Sequence, residues 1–482
     1  MATIKFENRI LILGCGAVSQ CTLPLLLKHL EMPRDRITVL DMVDRRDLIA
    51  DALKQGVRYV QEQITRDGYA EQLAKYVKSG DLIIDLAWNL GCAELLEWCY
   101  RRNVRYLNTS VELWDPYADR PLTTDRTLYV RHMHLRRMIA GWPDKNGPTA
   151  ILDHGANPGL VSHFTRMGLI DIGRKLLADK PRDPRAAAIQ AAIEGHKFND
   201  LAHQLGVKVI HISERDTQIT NQPKEVDEFV NTWSVEGFFE EGTAPAEMGW
   251  GTHEQSLPAG ARLHTSGPRN QICLTSFGIN TWVRSWVPCG EIVGMVVRHG
   301  EAFSISEALT VNGDDGSPVY RPTVHYAYCP CDMAIASLHE LRMRNYKAHE
   351  RYRIMENDIV SGRDELGCLL MGHDYKSWWI GSLLDIEETR RLVPGQNATT
   401  LQVAASVLGA LFWMIRNPNA GVRIPDQLPH EEIMEIALPY LGPVISQPVD
   451  WMPTGTPAGD YTIADVDPWQ FKQFQVIWKP TD

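Results

Sequence analysis

Apolar and polar positions in the first third of the chain repeat one order: a short apolar run, a turn and an amphipathic stretch. The first run, "RILIL", leads into "GCG" and then into "AVSQCTLPLLLKHL", which has apolar residues at helical spacing. The order recurs in "RITVLDM", "GVRYVQEQI", "YAEQLAKYV", "DLIIDLAWN", "CAELLEWCYRRN" and "RYLNTSVELW". Strands alternating with helices at this spacing predict an α/β fold with a Rossmann-type doubly wound parallel sheet.

The turn after the first strand predicts a dinucleotide site. Glycines at this position let backbone amides approach a pyrophosphate at a helix N-terminus. Ser19 replaces the third glycine of the usual fingerprint, and the expected cofactor-binding positions are Gly14, Gly16, Ala17, Val18 and Ser19. Asp41 ends the second strand, where a carboxylate accepts hydrogen bonds from the ribose hydroxyls and repels the extra phosphate of NADP. The sequence therefore favours NAD as the cofactor.

From about residue 205 the pattern changes to strands interrupted by Gly and Pro. The runs "GVKVIHISERD", "EFVNTWSVEGFF", "RNQICLTSFGINTWVRSWV" and "EIVGMVVRHGEAFSISEALTV" predict a second α+β domain with a largely antiparallel sheet. In "ILDHGANPGLVSHF", Asn157 is expected to cap a helix whose first residue is Pro158. The apolar stretch from Asn397, "NATTLQVAASVLGALFWMIRNP", predicts a core helix that returns to the first domain.

These patterns divide the chain into three parts. Residues 1–155 are expected to form the NAD-binding domain, completed by a helical return around 385–420. Residues 156–384 are expected to form a substrate and dimerisation domain, and 421–482 a C-terminal extension. A chain of 482 residues is too long for one simple core, which fits two domains.

Charge and composition exclude several classes of partner. A formal net charge of −11 and the lack of a dense Lys/Arg run argue against nucleic acid. The sequence indicates no secretion signal and no apolar run that approaches the ~18 residues needed to cross a bilayer, so we expect a cytoplasmic protein without membrane contact. The nine cysteines are sparse, and Cys329 and Cys331 near His325 lack a second ligand cluster; we expect reduced thiols and no metal site.

Candidate chemistry concentrates where strands end. In an open parallel sheet, ligands lie outside the carboxyl ends of the strands, which points to Asn89 and Glu112. In the second domain, "NTWSVEGFFEEG" places a tryptophan among glutamates, either as a solvated face or as a site for a cation. The polar candidates of that domain all lie near predicted strand ends or turns: Glu214, Trp233, Glu236, Glu241, His299, Glu301, Asp364 and Glu365.

Longer motifs add a resemblance. With "GANPGLVSHF", "HISERDTQ", "VNTWSVEGFFEEG", "PAEMGWGT", "YRPTVHYAY", "GRDELGCLLMGHD" and "IEETRRLVPGQNATTLQV", the chain resembles the bacterial homospermidine synthases, relatives of the saccharopine dehydrogenases. The resemblance extends from the Gly14 region to "DPWQF" near the C-terminus. It implies a homodimeric enzyme in which bound NAD takes a hydride from putrescine, the imine exchanges ammonia for a second putrescine, and the same NADH reduces the new imine to sym-homospermidine.

The resemblance also implies roles for residues. Trp233 would hold the cation, Glu214 and Glu241 would bind amines or move protons, and His299 would lie at the substrate entrance. Asn157 and Glu112 match further site positions, whereas Asn89 stands where relatives carry an aspartate and lacks its Coulomb attraction for an ammonium.

The expected chemistry fits these residue types. A hydride leaves only from a carbon beside a neutral amine, so one end of the diamine must be held charged while the other loses a proton. Carboxylates and an indole face hold the charged end, the latter contributing about 0.5–2 kcal/mol. Glu241 is the first choice for the base and Glu214 the second.

Two alternatives stay open from the sequence. A saccharopine- or carboxynorspermidine-type coupling dehydrogenase would need arginines for substrate carboxylates, for which Arg284, Arg298 and Arg321 are available. A protein that binds NAD as a sensor, without turnover, is the other alternative.

Overall fold

Seven parallel strands form the sheet of the first domain. A computed structural model describes residues 2–118, 120–453 and 467–476. In it the first domain contains β1 Ile10–Leu13, β2 Ile37–Asp41, β3 Arg58–Gln61, β4 Leu82–Asp85, β5 Arg105–Asn108 and β6 Ala150–Ile151. The strand order is β3-β2-β1-β4-β5-β6, and the late strand Val422–Arg423 pairs with β6. This is the Rossmann order, and the predicted doubly wound sheet is confirmed.

Helices cover this sheet because each connects parallel strands and buries one apolar side on them. They are α1 Ala17–His29, α2 Ala50–Lys54, α3 Tyr69–Tyr76, α4 Cys92–Arg102 and α5 Leu128–Ala140. The strands of the sheet centre, β1 and β4, are buried at every position. Their apolar runs without alternation follow from burial on both faces.

The second domain contains a ten-stranded, mostly antiparallel sheet, as predicted. Its strands are β7 Val209–Asp216, β8 Pro245–Gly249, β9 Ala261–Leu263, β10 Gln271–Phe277, β11 Trp282–Val287, β12 Gly290–Met295, β13 Thr323–Cys329, β14 Arg363–His373, β15 Lys376–Asp385 and β16 Val444–Val449. The path runs β9-β10-β8-β13-β7-β14-β15-β16, with the hairpin of β11 and β12 joined to β13. Only β7 and β13 pair in parallel among these strands.

The remaining helices are α6 Leu160–Asp179, α7 Ala186–Glu194, α8 Phe198–Leu205, α9 Val235–Gly242, α10 Glu301–Ala308, α11 Asp332–Met343, α12 Ile386–Leu392, α13 Ala398–Arg416, α14 His430–Ala437 and α15 Phe471–Phe474. Short strands at 4–5, 30–31, 219–220, 228–231, 311–312, 318–320, 351–354 and 359–361 form small two-stranded sheets.

Two segments expected to be strands, "EFVNTWSVEGFF" and "EIVGMVVRHGEAFSISEALTV", begin as strands but form helices in their second halves. After the strand Glu228–Asn231 the chain turns into α9, because the Ser234 hydroxyl accepts a hydrogen bond from the Gly237 amide and caps the new helix. After β12 the chain turns into α10, which buries Phe303 and Ile305. Local capping and burial on one face override the strand-like composition of both segments.

The loop before α6 differs from the expected cap. The helix begins at Leu160 rather than at Pro158, and its N-cap is Gly159, with φ +135°. Residues 155–159 form a tight turn, in which the Gly155 amide donates a hydrogen bond to the Pro158 carbonyl at 2.7 Å. A Cβ at Gly159 would lie 1.8 Å from the Gly155 oxygen, so only glycine fits there. Asn157 is therefore free of the capping role and its side chain points elsewhere.

Helix α13 joins the two domains. By length and composition it is long and apolar enough to cross a membrane, contrary to the expectation from the sequence, but 89% of its apolar window is buried inside the protein. It packs on α1 and β5 of the first domain and on β14 and β15 of the second. A helix buried on all sides needs apolar residues all round, which explains its composition.

The segment 421–482 enters both domains. Val422–Arg423 extends the first sheet and β16 is the edge strand of the second. Phe471 and Phe474 of α15 are buried against the second sheet, while 454–466 and 477–482 lie outside the described residues.

Candidate active site

The glycine turn after β1 has the shape that a dinucleotide needs. Gly14 has φ +87°, and a Cβ there would lie 2.9 Å from the Leu86 carbonyl oxygen, so the close approach of β1 to the end of β4 requires glycine. A Cβ at Gly16 would meet nothing within 4 Å, which leaves open space beside the first turn of α1. That turn contains Ala17, Val18 and Ser19, as expected.

Asp41 lies at the end of β2 and orders the same turn. Its carboxylate accepts hydrogen bonds from the Cys15 amide at 2.6 Å and from the Val43 amide at 2.8 Å, one on each oxygen. Each oxygen keeps a second lone pair for a ligand hydroxyl. The residues of this turn therefore fit the pyrophosphate and ribose of a dinucleotide.

At the next strand ends, two predicted residues present unpaired acceptors. Asn89, after β4, has φ +61° and a buried Oδ1 without a hydrogen-bond partner among the described residues. Glu112, after β5, accepts from the Ser110 hydroxyl at 2.7 Å on one oxygen, while its buried Oε2 has no partner in the same part of the chain. The two loops touch, since the Cys92 amide donates to the Glu112 carbonyl at 3.1 Å. Burial and the neighbouring Glu240 raise the pKa of Glu112 to about 7.

Glu214 on β7 is a buried carboxylate of the site. The Asn157 side-chain amide donates to its Oε2 at 2.9 Å, and the Tyr326 hydroxyl of β13 donates to the same oxygen. Glu214 is 3% exposed, and burial raises its pKa to about 7 despite those hydrogen bonds. The structure thus brings together two predicted residues that are 57 positions apart in the chain, Asn157 and Glu214.

Trp233 lies beside this group and is half-buried. Its indole N–H donates to the Tyr328 hydroxyl at 2.9 Å, and its ring packs on Phe238 with centroids 5.3 Å apart. Tyr328 stacks on Tyr326 at 5.1 Å, so hydrogen bonds and stacking connect the indole to Glu214. The two tyrosines alternate along β13 on the face that holds Glu214, and this period of two in "VHYAYC" was the signal available for finding them.

His299 lies between two predicted carboxylates. Its Nε2 is 3.1 Å from Glu241 and its Nδ1 is 3.1 Å from Glu301. Burial opposes the imidazolium, but the two carboxylates raise the pKa of His299 well above its ordinary value. The second oxygen of Glu301, Oε2, is buried and has no hydrogen-bond partner in the described segments.

Glu240, next in sequence to Glu241, is a structural residue that the sequence did not separate from its neighbours. It is 6% exposed, and Arg131 at 2.6 Å and Arg298 both pair with its Oε1. Burial opposes ionisation, but the two guanidinium groups lower the pKa of Glu240 to about 2. Arg131 also donates to the Val111 carbonyl at 3.0 Å, which ties α9 to the loop of Glu112.

Other predicted residues are not hydrogen-bonded to Glu214 or His299 within the part of the chain that the structure describes. Glu236 is half-buried and its side chain contacts its own helix cap, Ser234, at 3.4 Å. Arg298 is engaged by Glu240, and Arg321 donates to the Trp250 carbonyl at 2.7 Å. Elsewhere, among the described residues, His196, His430 and Glu431 form one group that could hold a metal ion, with ligand atoms within 4.8 Å of one another.

Comparison with known proteins gives the family. The family model described as "Saccharopine dehydrogenase NADP binding domain" matches residues 10–151, and "Saccharopine dehydrogenase C-terminal domain" matches 155–448. A protein named homospermidine synthase from Blastochloris viridis is 40% identical over 98% of this chain and 98% of its own length. The chain belongs to the homospermidine synthase family. Another member, from Mesorhizobium japonicum, is 38% identical over 98% of this chain and 97% of its own.

A solved structure agrees with this assignment. The homospermidine synthase of Legionella pneumophila, in complex with NAD, is 36% identical and superposes with a TM-score of 0.86, covering 99% of both chains. The resemblance seen in the sequence motifs and the predicted fold class are therefore confirmed. The name of the first family model specifies NADP, whereas this family member holds NAD, in agreement with the carboxylate of Asp41.

Proposed function

We propose that this protein is an NAD-dependent homospermidine synthase that converts two putrescine molecules into sym-homospermidine and ammonia. Family membership over the full chain supports this reaction. The observation that carries it to these residues is a set of buried oxygens, at Asn89, Glu112 and Glu301, that receive no hydrogen bond from the described residues. Unpaired buried acceptors are costly unless a ligand supplies donors, and a diamine carries an ammonium donor at each end.

The charges of the site fit a cation of this kind. Four carboxylates interact with His299 or with one another, namely Glu112, Glu214, Glu241 and Glu301. The indole of Trp233 adds a polarisable face for an ammonium or iminium. His299 is held as a cation between two of these carboxylates, and an incoming ammonium competes with it for the same carboxylate groups. Diamine binding at Glu241 and Glu301 would thus release His299 from one partner.

We assign the proton-accepting role to Glu214 and the cation-holding role to Glu241. A base works best when its pKa lies near the working pH, and burial places that of Glu214 at about 7. Asn157 orients the Glu214 carboxylate through the hydrogen bond that its side-chain amide donates at 2.9 Å. Glu241 contacts His299 at 3.1 Å and keeps a partly exposed side chain, which suits a binding role. The order differs from the sequence expectation, in which Glu241 was the first choice.

NAD, when bound at the turn after β1, supplies the chemistry of taking a hydride from an amine-bearing carbon and returning it to an imine. Around it, the chain's own residues hold the diamine, accept its proton at Glu214 and keep water away with the aromatic wall of Trp233, Tyr326 and Tyr328. An imine hydrolyses readily, so exclusion of water protects it until the second amine arrives.

Asp41→Asn is expected to weaken NAD binding about tenfold and to reduce the preference for NAD over NADP. The substitution removes the charge that accepts ribose hydroxyls and repels a 2′-phosphate, and a charged hydrogen bond of this kind contributes about 1.5–3 kcal/mol. Titration calorimetry with both dinucleotides measures the effect. Asp44→Asn is the matched control, because Asp44 is exposed and pairs with Arg46; an equal loss in both variants would contradict the assignment.

The reaction itself is tested by incubating the purified protein with NAD and ¹⁵N-labelled putrescine as the only amine. Labelled homospermidine, ammonia and no net NADH are expected. A protein that only senses NAD would leave putrescine unchanged. Labelled product formed only when an amino acid and a reductant are added would favour the saccharopine- or carboxynorspermidine-type alternative, which the engagement of Arg298 by Glu240 disfavours.

We also propose a cytoplasmic homodimer without nucleic acid or membrane partners. The net charge of −11 supports the absence of nucleic acid, and burial of α13 inside the protein supports the absence of a membrane span. Light scattering during gel filtration tests the dimer, and a single-chain mass would contradict it.

A further inference from the structure

Three carboxyl groups lie together on one face of the second sheet. Glu214 and Asp216 are two residues apart on β7, and Asp364 on β14 is the direct neighbour of Asp216 in the antiparallel register. Side chains two residues apart, and side chains directly opposite, share a face of a sheet. Glu214 is 3% exposed and the two aspartates are 0% exposed. Such a cluster cannot hold three charges without strong compensation.

The two aspartates differ in the number of hydrogen-bond donors that stabilise a negative charge on them. Asp216 accepts from three donors: the Thr232 hydroxyl at 2.6 Å, the Gln218 amide at 2.9 Å and the Gln218 side chain at 3.1 Å. Burial raises the pKa of Asp216, and these three donors oppose that shift because they stabilise the carboxylate. The carboxyl of Asp364 accepts from the Thr399 hydroxyl at 2.6 Å, and its Oδ1 has no partner within the described residues. Burial and the neighbouring Glu214 and Asp216 raise the pKa of Asp364 well above its usual range.

We propose that Asp216, which shares a sheet face with Glu214 and is held by hydrogen bonds from Thr232 and Gln218, is a positioning residue that acts on the proton-accepting Glu214 through its negative charge. This inference rests on the proposed function, because it concerns the base of that reaction. It assigns a role to a residue that touches neither substrate nor cofactor and acts through Glu214.

The other groups facing Glu214 do not replace this effect. Tyr326 and Asn157 donate hydrogen bonds to Glu214, and the His299 cation attracts a negative charge there, so all three favour the carboxylate. Tyr328 stacks on Tyr326, and burial raises its pKa far above neutrality, so it stays uncharged. Asp216 is the charged neighbour that opposes ionisation of Glu214, in the same direction as burial.

The test compares Asp216→Asn with Asp364→Asn, two isosteric changes on one buried face. Glu214 works as a base only when ionised, so activity falls as the pH drops through its pKa. Removing the charge of Asp216 lowers that pKa, and the acid limb of the kcat/KM profile for putrescine should move to lower pH by about one unit. Asp364→Asn replaces a neutral group by a neutral group and should leave the limb in place.

An unmoved acid limb in Asp216→Asn, or an equal shift in Asp364→Asn, would overturn the inference. If Asp216→Asn does not fold, Thr232→Val removes a donor that stabilises the Asp216 carboxylate. Asp216 then takes up its proton at higher pH, which should move the limb in the same direction. A protein that forms no homospermidine would refute the proposed function instead. In that case the role of Asp216 is tested by calorimetry, as the pH dependence of putrescine binding to the NAD-free protein. Asp216→Asn should move this dependence to lower pH, and an unchanged dependence would contradict the role.

Discussion

Glu240→Gln is expected to lower the free energy of unfolding by about 3 kcal/mol, whereas Glu241→Gln is expected to lower turnover about 100-fold with little loss of stability. The two glutamates are adjacent on α9 but face different partners. Glu240 pairs with the buried guanidinium groups of Arg131 and Arg298, and its loss removes the carboxylate that is hydrogen-bonded to both cations. Glu241 contacts His299 and keeps a partly exposed side chain, so its charge is available to a substrate.

Urea unfolding of both variants, with kcat for homospermidine formation measured below the denaturation midpoint, separates the two roles. Each glutamate serves as the other's matched control, because the helix, the charge and the substitution are the same. Equal destabilisation by both changes would reassign Glu241 to the fold. A large loss of turnover in a fully stable Glu240→Gln variant would place Glu240 in the chemistry.

Trp233→Ala is expected to reduce kcat/KM for putrescine about 30-fold. This corresponds to about 2 kcal/mol, the upper part of the range for a desolvated cation over an indole face. Trp233→Phe keeps a ring but has a weaker face and loses the hydrogen bond to Tyr328, so an intermediate activity is expected. The developing iminium is the cation concerned, and the effect should therefore appear in kcat as well as in KM.

Tyr328→Phe is the control for the hydrogen bond, since it removes the acceptor of the indole N–H and leaves the stacked ring in place. A loss as large as that of Trp233→Ala would attribute the effect to the orientation of the indole rather than to its electrons. Equal activity of wild type, Trp233→Phe and Trp233→Ala would show that the ring contributes nothing to the reaction.

Part of the second domain could not be predicted from its pattern. The segments around Phe238 and Phe303 are apolar and read as strands, yet they form α9 and α10, because capping at Ser234 and burial against neighbouring elements decided their conformation. The expected cap at Asn157 failed for a similar reason: the close approach of Gly159 to the Gly155 oxygen delays the helix until Leu160. Contacts between residues distant in sequence have no local signature.

The sequence by itself determined the Rossmann sheet, the glycine turn, the carboxylate at Asp41 and, through long motifs, the family. These features depend on local periodicity and on short spacings, which a single chain displays directly. Only the tertiary structure decided which of several glutamates are functional candidates. Glu240, Glu241 and Glu214 have the same side chain, and their difference arises from two arginines, one histidine and a buried aspartate brought to them from other parts of the chain. Burial and neighbouring charge set the proton affinity of a carboxylate, and both exist only once the chain has folded.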